Sequence, residues 1–138
     1  MIKVAIIGLG IMGRRMLQHM RIHEKFEPNY LWDPDKTACQ KAIEIDSEAK
    51  IMNSPEEAID AADLVYLACP PQVREAHAIQ TAQKGKALFL EKPLGIDIDH
   101  SKSLINKLKG FNVPLAVNFT QAAGPALNDL IKAKSAGE

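Results

Sequence analysis

Short runs of consecutive apolar residues alternate along this chain with longer segments in which apolar residues recur at helical spacing. Four runs are strong, at residues 4–7, 64–69, 87–90 and 115–117, and two are weaker, at residues 30–32 and 51–52. Runs that are apolar at every position, and not at every second one, are typical of strands covered on both faces. The pattern therefore predicts six strands of a parallel sheet.

The segments between the runs place apolar side chains on one face of a helix. The predicted faces are Met12, Met16, Leu17 and Met20 after the first run, Val73, Ala76 and Ile79 after the fourth, and Leu104, Ile105 and Leu108 after the fifth. A last helix is predicted over residues 125–134, with Leu127, Leu130 and Ile131 on one face. Gly85 and Gly110 stand where a glycine beyond the last turn ends a helix.

Strand and helix alternate six times, which is the pattern of a doubly wound α/β fold. Right-handed crossovers between parallel strands then favour the strand order 3-2-1-4-5-6. No linker, low-complexity stretch or internal repeat interrupts the sequence. We therefore expect a single doubly wound α/β domain over residues 1–138.

The composition is that of an ordinary globular chain, with 46% hydrophobic and 25% charged residues. It excludes a fibre, a disordered tail and a small disulfide-stapled protein. The 17 basic residues balance the 17 acidic ones. No overall field therefore draws the chain to nucleic acid or to an anionic membrane, and neither is expected as a partner.

The two cysteines, Cys39 and Cys69, lie 30 positions apart without CxxC spacing. This favours buried thiols in a reducing compartment over a disulfide or a metal site, and no metal is predicted. The apolar run near the N-terminus is too short for a signal peptide, and no stretch is long enough to span a membrane. The sequence predicts a cytoplasmic protein. The histidines, His19, His23, His77 and His100, lack partners at ligand spacing and are interpreted as solvated.

Gly8, Gly10 and Gly13 form a GxGxxG motif between the first predicted strand and an amphipathic helix. The first glycine permits a tight turn, the second lets the backbone approach a pyrophosphate, and the third lets the helix pack closely on the strand. Free amides and the positive end of the helix dipole favour phosphate there. The amides of Ile11 and Met12 are predicted to bind the pyrophosphate. We therefore expect residues 1–138 to form a dinucleotide-binding Rossmann domain.

Asp33 lies 20 residues beyond Gly13, at the end of the second predicted strand. A carboxylate there can accept hydrogen bonds from both hydroxyls of an adenosine ribose, which favours NAD. NADP is less favoured because its 2′-phosphate would repel the carboxylate, and Lys36 is the only basic residue close by in sequence. The alternative interpretation is that Asp33 caps a helix that begins at Pro34.

Three further stretches extend this pattern: LVYLACP at residues 64–70, Gly85-Lys86, and Glu91-Lys92-Pro93. Together with the glycine motif and Asp33, they make the chain resemble the N-terminal NAD(P)-binding Rossmann domain of one oxidoreductase family. This is the glucose-fructose oxidoreductase, inositol dehydrogenase and MocA (Gfo/Idh/MocA) family. The resemblance covers nearly the whole chain, and Glu-Lys-Pro is its most specific motif.

The resemblance implies that Lys92 is catalytic and hydrogen-bonds the substrate hydroxyl that loses hydride to NAD. It also implies a cis Lys92–Pro93 bond. Further cofactor contacts are implied for the residues around the ends of the fourth and fifth strands, namely Ala68, Cys69, Pro70, Glu91, Lys92 and Pro93. The alternative interpretation of Lys92 is a surface lysine that forms a salt bridge before a loop proline.

Two departures from the family pattern bear on the substrate class. Arg74 stands where family members commonly have histidine, and residues 121–123 replace an Arg-rich stretch. The family also has a second domain with the substrate pocket, a catalytic histidine and aspartate, and usually the oligomer interface. We expect that domain to be absent from these residues, so that the chain is a fragment of a longer protein and inactive alone. A natural single-domain protein is the other possibility.

These observations favour a dehydrogenase that transfers hydride from a hydroxyl of a sugar, polyol or related small molecule to NAD. The alternative is a stand-alone, non-catalytic NAD-sensing or nucleotide-binding module, which an exposed apolar face around Leu127 and Ile131 would oppose. A methyltransferase that uses S-adenosylmethionine shares a glycine loop and an acid after the second strand. Gly13 and the Glu-Lys-Pro motif argue against it.

Overall fold

The computed structural model describes residues 1–120 and 124–137. In this part of the chain six strands and six helices alternate and form one α/β domain, as the apolar pattern predicts. The predicted departure at residues 121–123 lies outside the described residues.

The strands are β1 (Ile2–Ile7), β2 (Phe26–Trp32), β3 (Lys50–Ile51), β4 (Leu64–Leu67), β5 (Ala87–Leu90) and β6 (Leu115–Val117). The helices are α1 (Ile11–Arg21), α2 (Lys36–Ile45), α3 (Pro55–Ala61), α4 (Pro71–Gln83), α5 (Ile98–Lys109) and α6 (Pro125–Ala136). Each predicted run contains a strand or overlaps one, and the predicted last helix is present.

All strand pairs are parallel, and the strand order is β3-β2-β1-β4-β5-β6. The predicted order is confirmed. Strand β1 lies between β2 and β4, and its last residue, Ile7, is paired with Trp32 on one side and Leu67 on the other. The carboxyl ends of these three strands are therefore level, at the point where the strand order reverses.

Alternate residues of β1 enter two different hydrophobic cores, because side chains along a strand point to opposite faces of the sheet. Ala5 and Ile7 pack with buried residues of α3, α4 and α5, whereas Val4 and Ile6 pack with those of α1 and α2. All four side chains are fully buried. This coverage on both faces explains why the strand is apolar at consecutive positions.

The predicted inner face of α4 is wrong. Val73 is 49% exposed, and the buried residues of the helix are Arg74, Ala78, Thr81 and Ala82. The small alanine side chains let the helix lie close to the sheet, and the guanidinium of Arg74 is buried because main-chain carbonyls accept its hydrogen bonds. A scale that counts arginine as polar cannot select this face.

Of the two glycines predicted to end helices, Gly85 has the expected left-handed conformation and Gly110 does not. Gly85 follows α4 with φ +70°, in the left-handed region that favours glycine. Gly110 has φ −70° and caps α5 in a right-handed conformation, so that the left-handed residue after this helix is Asn112, with φ +52°. Asparagine tolerates that region better than most side chains do.

Helix α6 presents its predicted apolar face to solvent. Leu127, Leu130 and Ile131 are 37%, 69% and 54% exposed, and none of the helix residues is buried by the described chain. An apolar hollow also lies open on the sheet beside β4, β5 and β6, lined in part by Leu64, Phe89 and Ala116.

In the described residues, no helix combines the length and the apolar character needed to cross a membrane.

The two cores predict a contrast between leucines of α5 and α6. Leu104 is fully buried, so Leu104→Ala lowers the free energy of unfolding by about 2–5 kcal/mol through lost burial and a cavity. Leu130→Ala changes it by less than about 0.5 kcal/mol, because that side chain is exposed. Urea denaturation measures both, and equal losses would contradict the described packing of α6.

Candidate functional site

A crevice opens where the level ends of β1, β2 and β4 meet. A cavity of about 450 Å³ occupies it, and its walls come from the turns that follow these strands and from the start of α4. The lining residues are Gly8, Gly10, Trp32, Asp33, Pro34, Ala68, Cys69, Pro70, Val73 and His77. In parallel α/β sheets this switch point is the place where ligands bind.

The glycine motif forms the floor of the crevice, and two of its glycines are required by packing. Gly8 has φ +96°, and a Cβ there would lie 2.5 Å from the amide nitrogen of Cys69. A Cβ at Gly13 would overlap the carbonyl oxygen of Gly8. A Cβ at Gly10 would meet open space, which leaves that side of the loop accessible to a ligand.

Helix α1 begins directly after this loop with an uncapped N-terminus. Gly10 is the N-cap and supplies no side-chain hydrogen bond, and the first turn of this helix holds no acidic residue. Ile11, its first residue, is 77% exposed. The first amides of α1 therefore carry the positive end of the dipole toward solvent, as an anion site requires. Arg14 stabilises the loop by donating from Nη1 to the carbonyl of Leu9, at 2.6 Å.

The carboxylate of Asp33 lies at the edge of the same cavity and is fixed by two backbone amides. Oδ2 accepts from Leu9 N at 2.6 Å, and Oδ1 accepts from Asp35 N at 2.8 Å. The cap of α2 is Asp35, which accepts from Thr37 N, so the interpretation of Asp33 as the helix cap is wrong. Each carboxylate oxygen retains a lone pair for a further hydrogen bond.

Trp32 and His77 face each other across this cavity. Their ring centroids are 5.9 Å apart and the rings are nearly perpendicular. His77 is half-buried, and burial lowers the pKa of its imidazole, which favours the neutral ring near neutral pH. The interpretation of His77 as solvated is therefore wrong. Sequence reasoning missed it because the predicted inner face of α4 was wrong.

A second cavity, of about 490 Å³, lies at the ends of β5 and β6. Its lining residues are Met12, Arg15, Met16, His19, Glu91, Lys92, Asn118 and Thr120. Lys92 is exposed in this cavity immediately after β5, and the Lys92–Pro93 peptide bond is cis, as the resemblance implies. The cavity therefore offers one ammonium group beside the start of α1.

The carboxylate of Glu91 is buried beneath Lys92 and bonded to three donors. It accepts from the hydroxyl of Tyr66, from Nδ2 of Asn118 and from the amide of Lys92. Burial, followed by the hydrogen bond to Glu91 and then by the charge of that carboxylate, raises the pKa of Tyr66, so that the hydroxyl remains a donor. Sequence reasoning missed Tyr66 and Asn118. The available signal was a polar group within or just after an apolar run.

Arg74 lies beneath the turn that carries Lys92 and is 2% exposed. Its guanidinium donates to the carbonyl oxygens of Cys69, Glu91 and Pro93. Arg74 does not line either of the two cavities described above. Arg74 thus holds the turn in this chain, and its predicted bearing on the substrate class stays untested.

The structure divides the predicted site residues between the two cavities. Gly8, Gly10, Asp33, Ala68, Cys69 and Pro70 line the first, and Met12, Glu91 and Lys92 line the second. Gly13 is buried beneath the glycine loop, and Ile11 is exposed beside it. Pro93 instead lines a shallow groove against α5.

Nothing in residues 1–120 and 124–137 groups three or more His, Cys, Asp or Glu side chains closely enough to hold a metal ion. His100 nevertheless has a partner, since its Nε2 lies 2.6 Å from a carboxylate oxygen of Glu75. Sequence reasoning missed this partner. Contacts between α4 and α5 that are remote in sequence cannot be found from ligand spacing.

The fold, the glycine loop, the open helix terminus and the carboxylate at the end of β2 together define a dinucleotide-binding domain. The comparison with known families agrees. Residues 2–119 match the sequence profile of GFO_IDH_MocA, described as "Oxidoreductase family, NAD-binding Rossmann fold". The chain belongs to this family and forms its NAD-binding Rossmann domain.

Curated relatives show the same affiliation. The chain is 30% identical over 115 residues to an uncharacterized oxidoreductase of Streptococcus pneumoniae, a match that covers 82% of this chain and 30% of the relative. It is 30% identical over 144 residues to scyllo-inositol 2-dehydrogenase (NAD(+)) of Bacillus subtilis, which covers 99% of this chain and 41% of the relative. The chain thus spans less than half the length of these relatives.

Solved structures share the fold. The crystal structure of myo-inositol dehydrogenase from Lactobacillus casei, in complex with NAD(H) and myo-inositol, superposes with a TM-score of 0.85 at 23% identity. The match covers 99% of this chain and 42% of that one. At this identity the likeness supports the architecture alone.

The different surroundings of Gly10 and Gly13 predict opposite defects. Gly13→Ala lowers the free energy of unfolding by more than about 2 kcal/mol, because its Cβ overlaps the loop backbone. Gly10→Ala changes it by less than about 1 kcal/mol, since the new methyl group meets open space and the backbone has φ −63°.

For NAD, we expect Gly10→Ala to weaken binding about tenfold or more, because the methyl group occupies the space where the pyrophosphate approaches. Denaturation and calorimetric titration with NAD measure the two effects. A Gly13→Ala protein as stable as the unsubstituted chain would contradict the described packing.

Proposed function

We propose that this chain is the NAD-binding half of a dehydrogenase that oxidises a hydroxyl group of a sugar, polyol or related small molecule. The observation that carries the proposal is the position of Lys92. Its ammonium group lies in a cavity at the end of β5, beside the start of α1, and the glycine loop joins that cavity to the crevice above β1 and β4.

The two cavities suit the two ends of a dinucleotide. We assign the adenosine to the first cavity, with its ribose hydroxyls on Asp33 and its base beside Trp32 and His77. The amides of Ile11 and Met12 would hold the pyrophosphate at the start of α1. The nicotinamide end then falls in the second cavity, beside Met12 and Lys92.

The charge of Asp33 supports NAD as the preferred cofactor. Both of its oxygens are fixed by backbone amides, so the carboxylate cannot rotate away from a ligand without breaking these bonds. A 2′-phosphate at the ribose would face this fixed negative charge at short range. Lys36, in the first turn of α2, is the basic residue nearest to Asp33 in sequence.

Lys92 would orient the substrate. Its ammonium group donates a hydrogen bond to the hydroxyl oxygen, which places the adjacent C–H bond toward the cofactor. Bound NAD supplies the hydride acceptor. As the hydroxyl becomes a carbonyl, positive charge on Nζ stabilises the developing negative charge on oxygen, and the hydroxyl proton passes to a base.

A second domain would supply that base, the substrate pocket and the oligomer interface. Two observations support this part of the proposal: the relatives are more than twice as long as the matched region, and α6 exposes its apolar face. Several relatives are inositol dehydrogenases, which supports a polyol substrate. The stand-alone nucleotide-binding module is less favoured because such a module would cover that apolar face. The cytoplasmic location stays a prediction.

Substitution of Asp33 tests the cofactor assignment. Asp33→Ala weakens NAD binding by about 1–3 kcal/mol through lost charged hydrogen bonds and reduces the preference for NAD over NADP. Asp35→Ala is the matched control: it removes the α2 cap and about 1 kcal/mol of stability, and it leaves the NAD to NADP ratio unchanged. Parallel calorimetric titrations measure these ratios. An unchanged ratio in Asp33→Ala would reject its ribose role.

Substitution of Lys92 tests the catalytic assignment. In a protein that joins this chain to its substrate domain, Lys92→Met abolishes hydride transfer from a polyol and leaves NAD affinity within a few fold. The affinity persists because the adenosine and pyrophosphate contacts are made elsewhere. Formation of NADH, followed by absorbance, measures turnover across a panel of polyols. Normal turnover in Lys92→Met would remove this residue from the mechanism.

A further inference from the structure

Arg74 joins two strand ends through one buried guanidinium group. Nη2 donates to the carbonyl of Cys69, just beyond β4, at 2.6 Å. Nη1 donates to the carbonyls of Glu91 and Pro93, which follow β5. The last two carbonyls belong to the residues immediately before and after Lys92.

This arrangement fixes the main chain on both sides of Lys92. A carbonyl that accepts from a cation in a buried setting is held strongly, because neither group can exchange its partner for water. The planar fork of arginine presents its terminal nitrogens at a fixed separation, so it also sets the distance between the turn and β4. The carboxylate of Glu91 also accepts a hydrogen bond from the amide of Lys92, at 3.2 Å.

Burial of this guanidinium has a free-energy cost. The guanidinium is removed from water, and burial lowers the pKa of Arg74. Its Nε has no hydrogen-bond partner within the described part of the chain. Buried donors without partners cost free energy, and the three hydrogen bonds to main-chain carbonyls offset the burial of the guanidinium.

We propose that Arg74 is a positioning residue for Lys92: it holds the turn of residues 91–93 against the end of β4 and so sets the direction of the lysine side chain. The inference rests on the proposed function, since it acts through Lys92. In this role Arg74 acts through hydrogen bonds to the main chain and does not contact the substrate.

The test is nuclear magnetic resonance on the isotopically labelled 138-residue chain, with and without NAD. In the unsubstituted chain, the amide signals of Gly10 and Asp33 and the amide and ε-methylene signals of Lys92 shift together as NAD saturates. In Arg74→Met, NAD affinity read at Gly10 stays within about threefold, because Arg74 contacts neither the carboxylate of Asp33 nor the start of α1. The NAD-induced shift of Lys92 is largely lost.

Amide hydrogen exchange gives a second readout that does not need NAD. We expect the Lys92 amide of Arg74→Met to exchange about tenfold faster or more, relative to the amide of Leu88 in the same protein. Arg74→Lys gives an intermediate rate, because a single ammonium group keeps the charge and cannot span the carbonyls as the fork does. If Arg74→Met does not fold, the ratio of the Lys92 to the Leu88 exchange rate in Arg74→Lys tests the positioning role instead.

Leu108→Ala is the matched control for stability. Leu108 is buried in α5, so its truncation lowers the global free energy of unfolding without changing a contact of the turn. We expect the Lys92 to Leu88 ratio and the NAD-induced shift of Lys92 to be unchanged in this variant. An equal change in Leu108→Ala, or no change in Arg74→Met, overturns the positioning role. Absence of any NAD-induced shift in the unsubstituted chain overturns the proposed function, and the exchange ratio still decides the role of Arg74.

Discussion

The reversal of strand order between β1 and β4 is the constraint on which the rest of this domain depends. Because every crossover is parallel, the chain leaves β1 toward one edge of the sheet and leaves β4 toward the other. The helices that follow therefore pack on opposite faces of the sheet, and the chain segments beyond β1 and β4 diverge and leave a gap between them. The residues that line the first cavity all border this gap.

Close approach across the gap sets the chemistry of its two sides. On one side, Gly8 comes so near to Cys69 that only a glycine fits, and the first amides of α1 have no side-chain cap. On the other side, the ends of β4, β5 and β6 are joined by polar groups buried beneath Lys92, centred on Glu91. The buried carboxylate of Glu91 is tolerated there because it accepts three hydrogen bonds. The floor of the first cavity is thus built from backbone, whereas the second cavity lies over a cluster of buried side chains.

The strand order, the glycine loop and the place of Lys92 could be predicted because each follows from local pattern and chain topology. The predictions failed where a polar residue is buried. Because Arg74 is buried, the inner face of α4 differs from the one that its apolar residues predict. In this orientation His77 lines the first cavity. Tyr66 and Asn118 meet Glu91 across 25 and 27 residues, and no local pattern specifies such a contact. In α6 the opposite holds: the helix was predicted correctly, but the described chain leaves its apolar leucines exposed.

The position of Trp32 gives this domain an optical property of its own. It is the only tryptophan in the sequence, and its indole stands on the wall of the crevice beside the imidazole of His77. Indole emission responds to stacking and to a neighbouring ring that gains or loses a proton. Because no second indole adds background, the fluorescence of this chain reports directly on the occupancy of one cavity, without any label.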